Sequence, residues 1–287
     1  MRSAVGSAYR LGEVERSDRT LTATVDFDAS SPLFAGHYPD LAVVPGVLLI
    51  DLSRRVAVEH FADLLGGGRP QIHSAQFSAP VYPGTPVTLH AEVGAGSEVR
   101  VRLLDDEQKL ASIRLRDNSV RPIFTPPPLT AVVGAPMEPR LPHRPPMAFL
   151  DEVVAVSPER LHARAGRSSI DFHRDTTTFV SPDPATVWPP ALVLEAWCQA
   201  AAVLMMRLAP EFATTVPAVL ISRLTAVRSL ADAALGDTID LHVRLLERYP
   251  TASTLTGCAR VGERVVLEID RLTATLRPFD RLRSPSA

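Results

Sequence analysis

The chain has 287 residues, of which 46% are hydrophobic and 22% are charged, a balance that is typical of folded globular proteins and excludes general disorder. Thirty basic residues against 32 acidic residues give a formal net charge of −2, so the composition does not favour nucleic acid as the main partner. The length is that of one large domain or two domains of medium size.

The cysteine content and the apolar segments predict a cytoplasmic protein that does not span a membrane. Cys198 and Cys258 are too few for a disulfide framework, and we expect both to be reduced. No stretch reaches the roughly 18 uninterrupted apolar residues of a membrane span. The first residues lack the apolar core of a secretion signal.

The first half of the sequence predicts one buried helix followed by an antiparallel meander. A strand is expected at 21–27, and Pro45 then begins an apolar run that continues to about Leu65. The run predicts a helix, because proline is favoured near the first helical position. It is apolar on nearly every side, which indicates a buried helix. Alternating residues then predict four strands, at 71–77, 86–93, 99–103 and 110–115.

A proline-rich stretch separates the two halves. Residues 121–139 contain six prolines, and such a segment continues neither a helix nor a central strand. We therefore expect an N-terminal domain over residues 1–125, a linker over 126–139 and a C-terminal domain over 140–287.

The second half repeats the layout of the first, although the sequence similarity between them is weak. Pro189 begins a second buried apolar run, which continues to about Leu208. Asp51 and Glu195 each lie six residues after the proline that opens their run. One buried helix followed by a meander, occurring twice, predicts an α+β fold. The strands expected after the second helix lie at 218–227, 238–246, 251–261 and 265–276.

Four short motifs indicate which family of proteins the sequence resembles. Residues 36–39 read GHYP, and residues 45–48 read PGVL; the second half begins with LPHRPPM at 141–147 and FLDEV at 149–153. Together these motifs resemble those of the 3-hydroxyacyl-carrier-protein dehydratases of the hotdog fold. The resemblance implies a double hotdog, in which each half wraps an antiparallel sheet around one central helix.

In the family that the motifs resemble, the histidine and the glycine of an active site come from one hotdog and the acid comes from the other. The resemblance therefore implies one composite site formed by His37 and Gly46 of the first half with Glu195 of the second, and Gln199 one helical turn after the acid. The order is also similar to that of the double-hotdog dehydratase domains of modular polyketide synthases, which have aspartate where this chain has Glu195. The implied partner is an acyl carrier protein, and no cofactor is implied beyond the phosphopantetheine arm of the substrate.

These residue types suit the elimination of water from a 3-hydroxyacyl thioester. His37 can remove the proton next to the carbonyl, because an imidazole titrates near neutral pH. The Gly46 N–H at a helix N-terminus can stabilise the enolate oxygen. Glu195 in an apolar helix is expected to stay protonated and to donate that proton to the departing hydroxyl. Gln199 is placed to orient the acid.

The reciprocal site around Asp51 is expected to be inactive. The residue that corresponds to His37 is Ser181, and Pro190 replaces the glycine and has no N–H. Arg55, one turn after Asp51, is expected to hold that carboxylate ionised. His173 could take the place of Ser181 only with a long insertion.

The remaining histidines give weaker signals. His143 and Arg144 lie in the LPHR motif, where we expect a structural hydrogen bond. The other five show no spacing typical of metal ligands, so no metal is predicted; they are His60, His73, His90, His162 and His242.

The sequence thus predicts a dehydratase that converts a 3-hydroxyacyl thioester to the trans-2-enoyl thioester in fatty acid or polyketide biosynthesis, as a monomer or a homodimer. Two kinds of alternative stay open. One is a different enzyme of the same fold, a thioesterase or an isomerase. The other is a hotdog that binds acyl carriers or a partner dehydratase without turnover.

Overall fold

The computed structural model describes residues 7–65, 69–117, 141–166, 178–179, 183, 186–212, 215–279 and 282. The predicted linker at 126–139 lies outside these residues, as do His173 and Ser181, so the predicted domain boundaries stay a prediction.

The described residues form twelve strands and three α-helices, which follow one another in a similar order in the two halves. The helices are α1 (Pro32–His37), α2 (Gly46–Phe61) and α3 (Pro190–Arg207), and short 3₁₀ turns cover Ala62–Leu65, Ala95–Ser97 and Pro210–Phe212. The strands of the first half are β1 (Tyr9–Arg16), β2 (Thr20–Phe27), β3 (Gln71–Phe77), β4 (Val87–Val93), β5 (Glu98–Asp105) and β6 (Gln108–Arg116). Those of the second half are β7 (Leu150–Val156), β8 (Arg160–Ala165), β9 (Ala218–Ser229), β10 (Ile239–Arg248), β11 (Ala252–Val261) and β12 (Arg264–Arg277).

All twelve strands form one antiparallel sheet in the order β1-β2-β4-β5-β6-β3-β9-β12-β11-β10-β8-β7. The halves join between β3 and β9, where Ile72 lies opposite Val227 and Ala75 lies opposite Leu224. From this seam outward, the strands of the two halves follow in equivalent order. The predicted repeat is therefore a structural repeat that also includes the first two strands of each half.

The two long helices form the centre of the core. In α3, every residue from Ala191 to Met205 is buried, as expected for a helix that is apolar on all sides. The α2 and α3 helices contact each other, and the sheet packs around them. In β4 buried residues alternate with half-buried ones, so one face of the strand points to the core.

The predicted α+β double hotdog is confirmed, and each predicted helix and strand is present with small shifts at its ends. The sequence patterns did not predict β1, α1, β7 or β8. The first of these strands lies at a sheet edge and is largely exposed, so it lacks the alternation that marks a half-buried strand. Among the described residues, no helix has the length and hydropathy needed to cross a membrane.

Candidate active site

A cavity of about 310 Å³ lies between the two halves. The four predicted site residues, His37, Gly46, Glu195 and Gln199, all line it, and His143 does as well. Much of the remaining wall is apolar and is contributed by both halves, including Val43, Leu49, Phe77, Val81, Ala202 and Val219.

His37 is the last residue of α1, and it is buried in the wall of the cavity. Leu33 and Phe34 anchor this short helix in the core. The His37 Nδ1 lies 3.0 Å from the Val43 carbonyl oxygen, so Nδ1–H donates and Nε2 keeps its lone pair. Burial lowers the pKa of His37 to about 4, although the bond to Val43 opposes part of this effect. The imidazole is therefore neutral at pH 7, the state that a general base needs.

Gly46 is the first residue of α2, and Pro45 before it has an extended backbone with φ −57° and ψ 136°. The first N–H groups of an α-helix have no partner within the helix, and the helix dipole makes this end positive. A Cβ atom at position 46 would lie 3.1 Å from Cζ of the Phe77 ring. Gly46 lines the cavity beside that ring, and a larger residue there would press on the ring.

Glu195 lies on α3 and is only 4% exposed. Its Oε1 accepts a hydrogen bond from Gln199 Nε2 at 3.0 Å. Burial raises the pKa of Glu195 to about 7, and the bond from Gln199 opposes that rise. At neutral pH a large share of the carboxyl groups therefore carries the proton that a general acid must donate.

Gln199 ties the acid to the loop that begins the second half. Its Nε2 also donates to the Met147 carbonyl oxygen at 2.7 Å, and its Oε1 accepts from the Phe149 N–H at 3.1 Å. The predicted contact between Gln199 and Glu195 is present. The side-chain amide of Gln199 also holds residues 147–149 against α3.

The structure places His143 in the cavity, where the sequence had suggested only a structural hydrogen bond. Its Nε2 lies 3.5 Å from Glu195 Oε1, and its ring centroid lies 5.3 Å from that of His37. Its Nδ1 is buried and has no hydrogen-bond partner among the described residues. The one signal in the sequence was the LPHR motif, which cannot reveal a contact with a helix so far along the chain. Arg144 has the expected structural role, since its Nη1 donates to three backbone carbonyls of residues 141–143.

A close approach of two backbone segments brings the two histidines together. The Arg144 N–H donates to the Gly36 carbonyl oxygen at 2.7 Å. A Cβ atom on Gly36 would lie 2.8 Å from Pro146 Cδ and 2.9 Å from the Arg144 carbonyl oxygen. Only glycine fits this contact, which explains the residue before His37 in the GHYP motif.

A second, much smaller cavity lies beside the start of α3 in the second half. It has about 10 Å³, and Trp188, Pro190 and Val193 contribute to its wall. Pro190 begins α3 and offers no N–H there. Asp51 is 1% exposed, and its charge opposes the fall that burial causes in the pKa of Arg54. That Arg55 holds Asp51 ionised stays a prediction.

The side chains of His37, His143 and Glu195 offer donor atoms that all lie within 4.8 Å of one another. Imidazole nitrogens and carboxylate oxygens are also the donor types that bind zinc in proteins. Their spacing in the sequence does not reveal this cluster, because the three residues come from three distant segments. The expectation that no metal is bound stays a prediction.

Comparison with known sequences supports the resemblance to the dehydratases. The model of the ApeI-like family, described as ApeI dehydratase, matches residues 13–114. The 3-hydroxyacyl-[acyl-carrier-protein] dehydratase FabZ of Colwellia psychrerythraea is 33% identical over 81 residues, which cover 26% of this chain and 54% of the relative. FabZ of Neisseria meningitidis serogroup B is 36% identical over 83 residues, covering 26% and 55%. The chain spans about half the length of these curated relatives.

Comparison with solved structures covers almost the whole chain. The dehydratase domain of PpsC from Mycobacterium tuberculosis, in complex with C12:1-CoA, matches with a TM-score of 0.69 at 15% identity, over 93% of this chain and 98% of that one. The dehydratase domain of RzxB from Pseudomonas fluorescens matches with a TM-score of 0.67 at 13% identity, over 89% and 94%. These likenesses confirm the double-hotdog fold, and the sequence matches confirm the resemblance to the carrier-protein dehydratases.

Proposed function

We propose that the chain removes water from a 3-hydroxyacyl thioester to give the trans-2-enoyl thioester. The observation that carries this proposal is the pairing, in one cavity, of a neutral histidine from the first half with a carboxyl from the second half whose pKa is raised to about 7. An elimination needs a base and an acid that are both in these states at the same pH.

In the proposed reaction, Nε2 of His37 takes the proton from the carbon next to the thioester carbonyl. The Gly46 N–H stabilises the negative charge that develops on the carbonyl oxygen. The electrons of the broken C–H bond form the new double bond as the C–O bond breaks, and Glu195 gives its proton to the leaving hydroxyl, which departs as water. Transfer of the proton from His37 to Glu195 through solvent then restores both groups.

We assign His37 and Glu195 to proton transfer and not to metal binding. A metal ion would take the lone pair of His37 and the carboxylate oxygen that the elimination uses. The proposed reaction needs no Lewis acid, because the helix N-terminus at Gly46 supplies the electrostatic stabilisation of the enolate.

The proposed substrate is carried by the phosphopantetheine arm of an acyl carrier protein, and no other cofactor takes part. The support for a carrier-bound thioester is that the curated relatives are named as dehydratases of acyl-carrier-protein substrates. The C12:1-CoA in the PpsC dehydratase structure supports an acyl chain in the cavity. We further propose that the chain works in the cytoplasm as a monomer or a homodimer.

The test is to incubate a 3-hydroxyacyl carrier protein with the wild-type chain and with His37→Ala, and to measure the mass of the carrier. We expect the wild type to remove one water and the variant to lose at least about a hundredfold in rate, because general base catalysis contributes that much or more. Loss of the whole acyl group would indicate a thioesterase. An isomerase would move the double bond without a further change of mass, so loss of the absorbance of the conjugated enoyl thioester would indicate that activity. Binding of the carrier without any change of mass would indicate a non-catalytic acyl-carrier partner.

A further inference from the structure

We propose that His143 is a positioning residue for Glu195. The Nε2–H of His143 donates to Oε1 of Glu195 and thereby keeps the transferable proton of the acid on Oε2. This inference rests on the proposed function and deepens it, because it assigns the proton-donating atom of the acid. The geometry that carries it is the 3.5 Å separation of His143 Nε2 from Glu195 Oε1, with both side chains buried.

The hydrogen-bond partners of the ring determine which nitrogen carries its proton. Nε2 faces Glu195 Oε1, whereas Nδ1 is buried without a partner among the described residues. A buried N–H without an acceptor is rarer in folded proteins than a buried lone pair without a donor. A neutral His143 therefore carries its proton on Nε2, the nitrogen that faces the carboxyl oxygen at 3.5 Å.

Glu195 Oε1 accepts a hydrogen bond from Gln199 Nε2 at 3.0 Å and lies 3.5 Å from His143 Nε2, the second donor in this proposal. An oxygen that accepts two N–H bonds is a poor place for the acidic proton, which would compete with those donors. The proton consequently resides on Oε2. Both donors belong to a single packed unit, since Gln199 also fixes the Met147 carbonyl four residues after His143.

The surroundings of His143 keep it neutral and unsuited to replace either His37 or Glu195. Burial lowers its pKa well below the ordinary value, and the neighbouring His37 and Arg144 act in the same direction. The other titratable groups that face it are Tyr38, whose ring centroid lies 5.4 Å away, and Glu195 itself. A neutral donor that does not titrate near pH 7 can hold the acid in one orientation over the working range.

The experiment measures the acid dissociation of Glu195 by carbon NMR of chain labelled at the glutamate carboxyls, with Glu195→Gln to assign the signal. The variants are His143→Ala, His143→Gln and, as a control outside the cavity, His60→Ala. An N–H donor stabilises a carboxylate, so its loss in His143→Ala should lower the acid dissociation constant of Glu195 about tenfold. The amide of His143→Gln supplies a donor and should restore most of the wild-type value.

Turnover of the same variants separates the two proposals. We expect kcat of His143→Ala to fall about tenfold with KM nearly unchanged, and His143→Gln to recover most of it. An unchanged Glu195 titration in His143→Ala, or equal shifts in the alanine and glutamine variants, would overturn the positioning role. If the wild-type chain removes no water but His143→Ala still shifts the Glu195 titration, the proposed function is contradicted and the positioning role stays intact.

Discussion

At the scale of single residues, the two groups proposed to transfer protons depart from their ordinary pKa values in opposite directions. Burial in the same cavity lowers the pKa of His37 to about 4 and raises that of Glu195 to about 7. Desolvation always disfavours the charged form, which is the protonated form of an imidazole and the deprotonated form of a carboxyl. Burial in one cavity therefore prepares both a base and an acid.

The first prediction is the pH dependence of kcat/KM. The active form has His37 unprotonated and Glu195 protonated, so activity should fall below about pH 4 and above about pH 7. Initial rates of enoyl thioester formation, measured by absorbance across the pH range, test this, and circular dichroism at each pH confirms that the chain stays folded. An activity that keeps rising well above neutral pH would show that Glu195 is not the acid.

At the scale of secondary-structure elements, the two long helices begin in the same way but not with the same residue. Pro45 precedes Gly46 with φ −57° and ψ 136°, and Pro189 precedes Pro190 with φ −56° and ψ 127°. The backbone before the first helical residue is thus nearly identical, and it suits a following proline in both cases. At the first helical residue, the two helices therefore differ by one N–H group, which Gly46 has and Pro190 lacks.

The second prediction concerns that N–H group. Gly46→Pro should preserve α2, because proline is favoured at the first position and α3 already begins with one. It should lower kcat by about a hundredfold, the typical effect of removing one donor to a developing oxyanion. The matched control is Gly46→Ala, which adds the same Cβ beside Phe77 but keeps the N–H, and which should therefore keep most of the turnover. Full activity of a folded Gly46→Pro variant would exclude the Gly46 N–H as the enolate donor.

The sequence predicted those helices and strands whose pattern of apolar residues can be read within the element itself. Both buried helices and the central strands follow from apolar runs, alternation and proline positions, whereas the exposed edge strand β1 gave no such pattern. His37, Gly46, Glu195 and Gln199 could be singled out from motifs and from spacing to the helix starts. His143 could not be assigned to the site, because its contact with Glu195 depends on how the Gln199 amide and Gly36 pack the loop around it.

At the scale of the whole molecule, one sheet built from two halves of equivalent strand order carries cavities of unequal size beside the starts of its two long helices. The cavity beside Gly46 has about 310 Å³, and the one beside Pro190 has about 10 Å³. In a homodimer of single hotdogs the two sites are identical, because both chains share one sequence. In a fused chain each half can change separately, so one half can keep the base and the other can keep the acid.

The central claim of this account is that a single site across the two halves performs the reaction. The most direct measurement compares kcat of Glu195→Gln and Asp51→Asn on one 3-hydroxyacyl carrier protein, with thermal melting to confirm that both variants are folded. We predict that Glu195→Gln loses at least about a hundredfold in kcat, since it cannot donate the proton, and that Asp51→Asn keeps the wild-type rate. Similar losses in the two folded variants, or an active Glu195→Gln beside an inactive Asp51→Asn, would contradict the single-site account.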